Sequence, residues 1–132
     1  MKITLETTDS LQHYVAKNEE GHSIQLSGDG TATGPMQAVL MAVAGCSTID
    51  IVMILGKMRQ DVKDIKVDVV GTRRDEIPRV YTKINLHYRI YGNVKPKKAE
   101  QAVASSLETY CSVSKMIEKD VEITGTFEII ED

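Results

Sequence analysis

The first part of the chain alternates apolar and polar positions with a period of two. Apolar residues recur in short runs that begin with Ile3 and Leu5, and a polar segment ending at Gly21 separates the last two runs. Such alternation is typical of strands that bury one face. The pattern predicts two or three short antiparallel strands within residues 1–28, connected by a hairpin turn.

A long apolar stretch follows a loop that is rich in glycine and threonine. It begins at Pro35, carries one charge before Lys57, and is apolar nearly all the way round a helix. Proline suits the first turn of a helix, where its missing N–H would have no intrahelical partner. The stretch predicts one central helix over residues 35–59, roughly 36 Å long at about 1.5 Å per residue.

Three environments would bury such a helix: a membrane, a large core, or the space between two copies of a small protein. Gln37, Ser47, Thr48 and Asp50 make the stretch too polar for a comfortable single crossing. A chain of 132 residues has too little remaining mass to cover the helix on every side. The pattern therefore favours burial in a homodimer and no membrane association.

The second half of the chain returns to strand patterns and closes with helices and a last strand. Apolar and polar positions alternate over 64–91 and predict a long hairpin, Pro96 opens helical spacing over 96–119, and alternation resumes over 121–130. We predict an α+β fold in which an antiparallel sheet packs on the long central helix. The length predicts a single domain over residues 1–132.

Composition and charge narrow the functional classes. The chain has 16 Lys and Arg against 19 Asp and Glu, a formal net charge of −3, and no long basic run, so nucleic acid is not an expected partner. The first ten residues contain no apolar core of a secretory signal. We expect a cytoplasmic protein.

Cys46 lies inside the long apolar helix, one turn from Asp50. Buried cysteines usually pack as small hydrophobic residues, and this structural role is the simpler interpretation. An apolar site beside a carboxylate also disfavours a thiolate. A reactive Cys46 therefore needs a cation from another segment or another chain.

Cys111 lies between two predicted helices, with Lys115 one turn further along. Free backbone N–H groups at a helix start and a nearby ammonium group both stabilise a thiolate, so Cys111 is expected to ionise more easily than Cys46. A core cysteine at a helix junction is an equally good interpretation. Two cysteines and three histidines without short ligand spacing predict neither a metal site nor a cofactor.

Three segments together resemble the osmotically inducible protein C and organic hydroperoxide resistance family. They are Gly34-Pro35, the stretch from Leu40 to Cys46 inside the apolar helix, and the stretch from Glu108 to Lys115 around Cys111. The second cysteine is usually followed by proline in the family, whereas this chain has Ser112. The chain is similar to a divergent branch of the family, and the resemblance implies an intertwined homodimer with Cys46 near the subunit interface.

The resemblance implies a peroxiredoxin-like role in the oxidative stress response. Cys46 would attack a small organic hydroperoxide and become a sulfenic acid, which condenses with Cys111 to a disulfide that a cellular dithiol reduces. Asp50 and Lys115 are auxiliary candidates. The family's activating glutamate position is Met36 here, and residues 1–58 contain no arginine, so an activating cation has to be sought among His13, His22, Arg59, Arg73, Arg74 and Arg79.

Two functions therefore remain open. One is a thiol-dependent peroxidase that uses the Cys46 and Cys111 pair, and the other is a non-catalytic protein that holds a small apolar ligand in a cavity of the dimer. The separation of the two sulfur atoms distinguishes them, together with any cation within about 4–6 Å of the Cys46 sulfur.

Overall fold

The computed structural model describes residues 1–131 and has an α+β architecture, as predicted. The elements are β1 (Ile3–Thr7), β2 (His13–Asn18), β3 (Ser23–Ser27), α1 (Pro35–Lys57), β4 (Asp61–Arg73), β5 (Tyr81–Asn93), α2 (Pro96–Ser105), a π-helical turn (Ser106–Tyr110), α3 (Ser112–Ile117) and β6 (Glu122–Ile130). Contacts cluster into two compact units, Met1–Val39 and Leu40–Asp132. The single domain inferred from length remains a prediction.

The first unit holds the three antiparallel strands predicted from the alternation, in the order β1-β2-β3. Leu5 pairs with Ala16 and Ala16 with Ile24, so these side chains form one row on one face of the sheet. Leu5 and Ile24 are both more than half exposed in this isolated chain. The sheet therefore presents apolar side chains on an open face.

His13 connects two loops of this unit. Its Nδ1 lies 2.7 Å from Asp9 Oδ1 and its Nε2 lies 2.8 Å from Asp29 Oδ2. These contacts, first with Asp9 and then with Asp29, raise the pKa of His13 above its usual value. Hydrogen bonds from Thr31 and His13 hold the pKa of Asp29 at about 2.

This cluster predicts that the stability of the first unit depends on pH. Because the folded-state pKa of His13 is raised, its stabilising contribution is complete below about pH 6.5 and is lost as the pH rises through the folded pKa. Titration of His13 followed by NMR should give a pKa above 6.5, and Asp29→Asn should lower it. Titration at or below 6.5 in the unmodified chain would contradict the arrangement.

Helix α1 buries one narrow stripe. Val43, Ser47, Ile51 and Leu55 recur at every fourth position and are buried, whereas most other side chains of the helix are partly or fully exposed. The helix ends at Lys57, two residues before the predicted end, because Arg59 takes a left-handed φ of 59°. Among residues 1–131 it is the one helix long and apolar enough to cross a membrane, a test that core helices of soluble proteins also pass.

The second unit is built on a sheet in the order β4-β5-β6. The predicted hairpin is present, since β4 and β5 pair antiparallel, with bounds that extend a few residues beyond 64–91 at each end. The expectation of a wholly antiparallel sheet is wrong for β6, which pairs parallel to β5. The helices between β5 and β6 carry the chain back along the sheet, so both strands run in the same direction.

The core of this unit lies between the sheet and the helices. Alternate residues of β5 are fully buried (Ile84, Leu86, Tyr88 and Ile90), as are the inward residues of α1. On β6, a Cβ at Gly125 would lie 2.6 Å from Leu107 Cδ1 and 2.8 Å from Val103 Cγ1. The absence of a side chain at this position lets the segment from α2 to the π-helical turn approach the sheet closely.

Candidate functional site

The two cysteines lie together in the second unit. The Sγ atoms of Cys46 and Cys111 and a carboxylate oxygen of Asp50 lie within 4.8 Å of one another. Cys46 is half-buried on α1, whereas Cys111 is fully buried at the start of α3. Both sulfurs are free thiols in this structure.

The π-helical turn brings Cys111 to this position. The sequence predicts helices over 96–119 with Cys111 between two of them, and the structure adds a π-helical turn at Ser106–Tyr110, where the Cys111 N–H donates to the Ser106 carbonyl at 2.7 Å. The Ser106 hydroxyl faces α1 and can donate to the Ser47 carbonyl at 3.1 Å and to Asp50 Oδ2 at 3.3 Å. The turn therefore connects the segment bearing Cys111 directly to the helix that carries Cys46 and Asp50.

A second buried hydrogen bond ties α1 to the sheet. The Tyr88 hydroxyl donates to Ser47 Oγ at 2.6 Å, and Ser47 Oγ donates in turn to the Ala44 carbonyl at 3.2 Å. Burial raises the pKa of Tyr88 to about 12, so the phenol remains a proton donor at all physiological pH values. The turn of α1 that carries Cys46 is therefore held by both neighbouring elements.

The thiolate stabilisation expected at Cys111 from the helix start and Lys115 is outweighed by burial. Burial raises the pKa of the Cys111 thiol, and the hydroxyl and backbone N–H of Ser114 offset only part of that effect. Lys115 contacts other groups, because its Nζ lies 2.6 Å from Glu118 Oε1 and 3.2 Å from the Glu108 carbonyl oxygen. The side chain predicted to stabilise a thiolate is thus bound to acceptors on its own segment.

Asp50 forms no ion pair with any Lys, Arg or His of residues 1–131. Three of the substitute arginines proposed from the sequence bind the loop between β4 and β5. The Nε atoms of Arg73, Arg74 and Arg79 donate to carbonyl oxygens of that loop. His13 is paired with two carboxylates inside the first unit.

A cleft of about 360 Å³ opens beside Asp50. Its lining is mostly apolar, with one cationic side chain, and consists of Asp50, Met53, Ile54, Lys57, Met58, Ser105 and Tyr110. Small molecules in solvent can therefore approach the Asp50 side of the cysteine pair.

Sequence reasoning placed Cys46, Cys111 and Asp50 as candidates, and the structure brings these three together. Three supporting residues were not predicted: Ser47 was noted only as a polar residue of the long helix, and Ser106 and Tyr88 were given no role in the site. One signal was available for Ser47, a hydroxyl residue within a long apolar helix, where buried polar groups need partners.

The second unit combines a mixed sheet, a long helix that carries Cys46 and a short helix α3 that begins after Cys111. Residues 28–125 match the family described as OsmC-like protein. The chain therefore belongs to the OsmC family, as the sequence motifs indicated.

Individual relatives agree with this assignment. The chain is 44% identical over 120 residues to protein YhfA of Escherichia coli K12, covering 89% of this chain and 90% of YhfA. A hypothetical protein from Aquifex aeolicus is 34% identical with a TM-score of 0.90, covering 99% of this chain and 96% of that one. An organic hydroperoxide resistance protein OsmC from Legionella pneumophila shares the fold at a TM-score of 0.74 and 18% identity, covering 96% and 95% of the two chains.

Proposed function

We propose that this protein is a cytoplasmic thiol peroxidase that reduces organic hydroperoxides through Cys46 and Cys111. The supporting observation is the approach of the two Sγ atoms to within 4.8 Å of each other. A disulfide needs a separation of about 2.05 Å, so less than about 3 Å of movement would join them. Membership of a family that includes hydroperoxide resistance proteins supports the same chemistry.

Cys46 is the attacking thiol in this proposal because it is the less buried of the two. Its sulfur takes the terminal oxygen of the hydroperoxide, the O–O bond breaks, and the thiol proton passes to the departing alkoxide to give an alcohol. The resulting sulfenic acid then condenses with the Cys111 thiol, releasing water and leaving a disulfide. A cellular dithiol returns both thiols by exchange and becomes a disulfide itself.

Asp50 is the proton acceptor in this proposal. Its carboxylate lies within 4.8 Å of both sulfurs and is oriented by the Ser106 hydroxyl. A carboxylate so placed can take the Cys46 proton while the sulfur attacks and pass it to the alkoxide. Because no standing thiolate has to be stabilised in this arrangement, it does not need the cation that the sequence argument required. Lys115 has a positioning role only, because its ammonium group connects Glu108 and Glu118 on the segment around Cys111.

The direct test mixes the reduced protein with cumene hydroperoxide in stopped flow and follows free thiols. We expect two thiols per chain to be lost rapidly, and a dithiol such as dithiothreitol to restore them and sustain turnover. Hydrogen peroxide should react more slowly than the organic peroxide because the adjoining cleft is mostly apolar. Slow loss, or loss of a single thiol, would contradict the proposal.

Asp50→Asn should slow thiol oxidation by cumene hydroperoxide about 100-fold at neutral pH, because it removes the proton acceptor while keeping the side-chain volume. The matched control is Asp64→Asn on β4, an acid outside the cysteine cluster, which should react at the unmodified rate. An Asp50→Asn variant that reacted faster than the unmodified protein would show that the carboxylate only opposes the thiolate.

We also propose that the protein works as a homodimer. Large apolar side chains of α1 are exposed in the isolated chain: Met41, Ile49, Val52 and Met53. Exposed apolar surface of this kind on a helix is typical of an interface with a partner. Sedimentation equilibrium should give twice the chain mass of 14.6 kDa.

The second candidate is a binding protein for a small apolar ligand. The cleft beside Asp50 favours it, because Met53, Ile54 and Met58 give the cleft an apolar wall. In that case the thiols would lie near the site, beside Asp50, without reacting, and the stopped-flow measurement would show slow oxidation. Rapid loss of both thiols excludes a purely binding role.

A further inference from the structure

The cluster of Cys46, Asp50 and Cys111 has the composition of a metal site as well as that of a redox pair. Two sulfurs and a carboxylate oxygen lie within 4.8 Å of one another. Sulfur, nitrogen and carboxylate oxygen are the ligands that Zn²⁺ binds in proteins. The spacing of these residues along the chain gave no sign of a site, because the fold brings Cys111 to the helix from a distant segment.

The distances suit a tetrahedral ion. At bond lengths of about 2.3 Å to sulfur and about 2.0 Å to oxygen, two sulfurs on one Zn²⁺ are about 3.8 Å apart and a sulfur and an oxygen about 3.5 Å apart. From their limit of 4.8 Å, the two sulfurs would have to approach by about 1 Å at most, and a sulfur and the oxygen by about 1.3 Å at most. Rotation of side chains covers such a distance.

The surroundings provide the support that a metal ligand needs. The Ser106 hydroxyl is placed to donate to Asp50 Oδ2 at 3.3 Å, and ligating carboxylates in proteins are commonly held by such hydrogen bonds. Asp50 also lines the cleft, which gives an ion and a water ligand a route from solvent. Three protein ligands and one open position form the arrangement of a zinc ion accessible to small molecules.

The negative charge of the cluster also favours a bound cation. Two thiolates and a carboxylate carry three negative charges, and among residues 1–131 no basic side chain forms an ion pair with Asp50. A divalent cation supplies the positive charge that would hold both sulfurs as thiolates in this buried place. We propose that the reduced protein binds one Zn²⁺ ion per chain through Cys46, Asp50 and Cys111.

Zinc binding displaces the two thiol protons, and oxidation of the two thiolates opposes zinc binding. When an oxidant takes two electrons from the thiolates, the disulfide removes two of the three ligands, and the ion returns to solution. The zinc-bound and disulfide forms therefore exclude each other. Bound Zn²⁺ would hold the cysteine pair reduced until a hydroperoxide or the removal of metal releases it.

Zinc alone, in competition with a chromophoric chelator under anaerobic conditions, measures the affinity of the reduced protein. We expect one ion per chain, with binding about 100-fold weaker in Cys46→Ser and Asp50→Asn and about 10-fold weaker in Ser106→Ala. Cobalt substitution should add thiolate-to-metal absorption bands in the near ultraviolet. Oxidation with diamide should release the ion, and Asp64→Asn should bind like the unmodified protein.

Two results would overturn the inference: cobalt spectra without thiolate bands, or equal zinc affinity in the unmodified protein, Cys46→Ser and Asp50→Asn. Circular dichroism of each variant separates a lost ligand from a lost fold. The inference does not depend on peroxide turnover. A protein that binds zinc but does not consume hydroperoxide would keep this inference and remove the proposed function.

Discussion

Cys46→Ser is expected to reduce consumption of cumene hydroperoxide with dithiothreitol at least about 1,000-fold, because a hydroxyl replaces the attacking thiol and residual activity would come from binding alone. Serine is close to cysteine in volume and the site is only half-buried, so the fold should persist. Peroxide loss is followed by a ferrous iron assay. A variant as fast as the unmodified protein would remove Cys46 from the reaction.

Cys111→Ser is the matched comparison, because it replaces the other sulfur of the pair by oxygen. It should retain the first oxidation of Cys46 but form no disulfide within the chain. A sulfenic acid should accumulate and be trapped by dimedone, with a mass increase at Cys46 alone. Equal trapping in the unmodified protein would show that Cys111 does not resolve the sulfenic acid.

The largest expected effect on stability is that of Tyr88→Ala. Tyr88 is fully buried on β5 and its hydroxyl donates to Ser47 Oγ on α1 at 2.6 Å, so truncation removes both packing and the hydrogen bond. Removal of a buried aromatic side chain costs about 3–5 kcal/mol in the free energy of unfolding. Urea unfolding followed by circular dichroism measures the loss.

Tyr88→Phe separates the two contributions because it keeps the ring and removes only the hydroxyl. Ser47 retains its bond to the Ala44 carbonyl, so the cost should be about 1 kcal/mol. If Tyr88→Phe were as destabilising as Tyr88→Ala, the hydrogen bond rather than the packing would hold α1 on the sheet. A change below about 1 kcal/mol for Tyr88→Ala would contradict the burial of this side chain.

Periodicity predicted most elements because a helix and a half-buried strand each present a regularly repeating apolar face to the rest of the protein. The strands of the first unit, α1, and the long hairpin are present with bounds close to those predicted. Helix α1 also shows what the hydrophobic pattern cannot predict. An all-round apolar stretch predicts burial but not which stripe is buried, and the fully buried residues of α1 are Val43, Ser47, Ile51 and Leu55.

The direction of β6 could not be predicted from its alternation, because a strand has the same period whether it pairs parallel or antiparallel. The π-helical turn could not be predicted either, because it depends on the hydrogen bond from the Cys111 N–H to the carbonyl of Ser106, five residues earlier. Burial explains why the thiolate expected at Cys111 is not favoured. Local charge and helix position favour a thiolate there, but desolvation raises the pKa of the buried thiol.

The sequence by itself determined the family, the elements and the two cysteines with Asp50 as candidates. These features depend on local periodicity and short motifs, which a single chain displays directly. Only the tertiary structure decided that the three side chains meet within 4.8 Å, that Ser106 contacts Asp50 and Tyr88 contacts Ser47 on the same helix, and that Lys115 contacts other groups. Contacts between distant segments depend on how the π-helical turn and α1 pack on one sheet, and no local pattern records that packing.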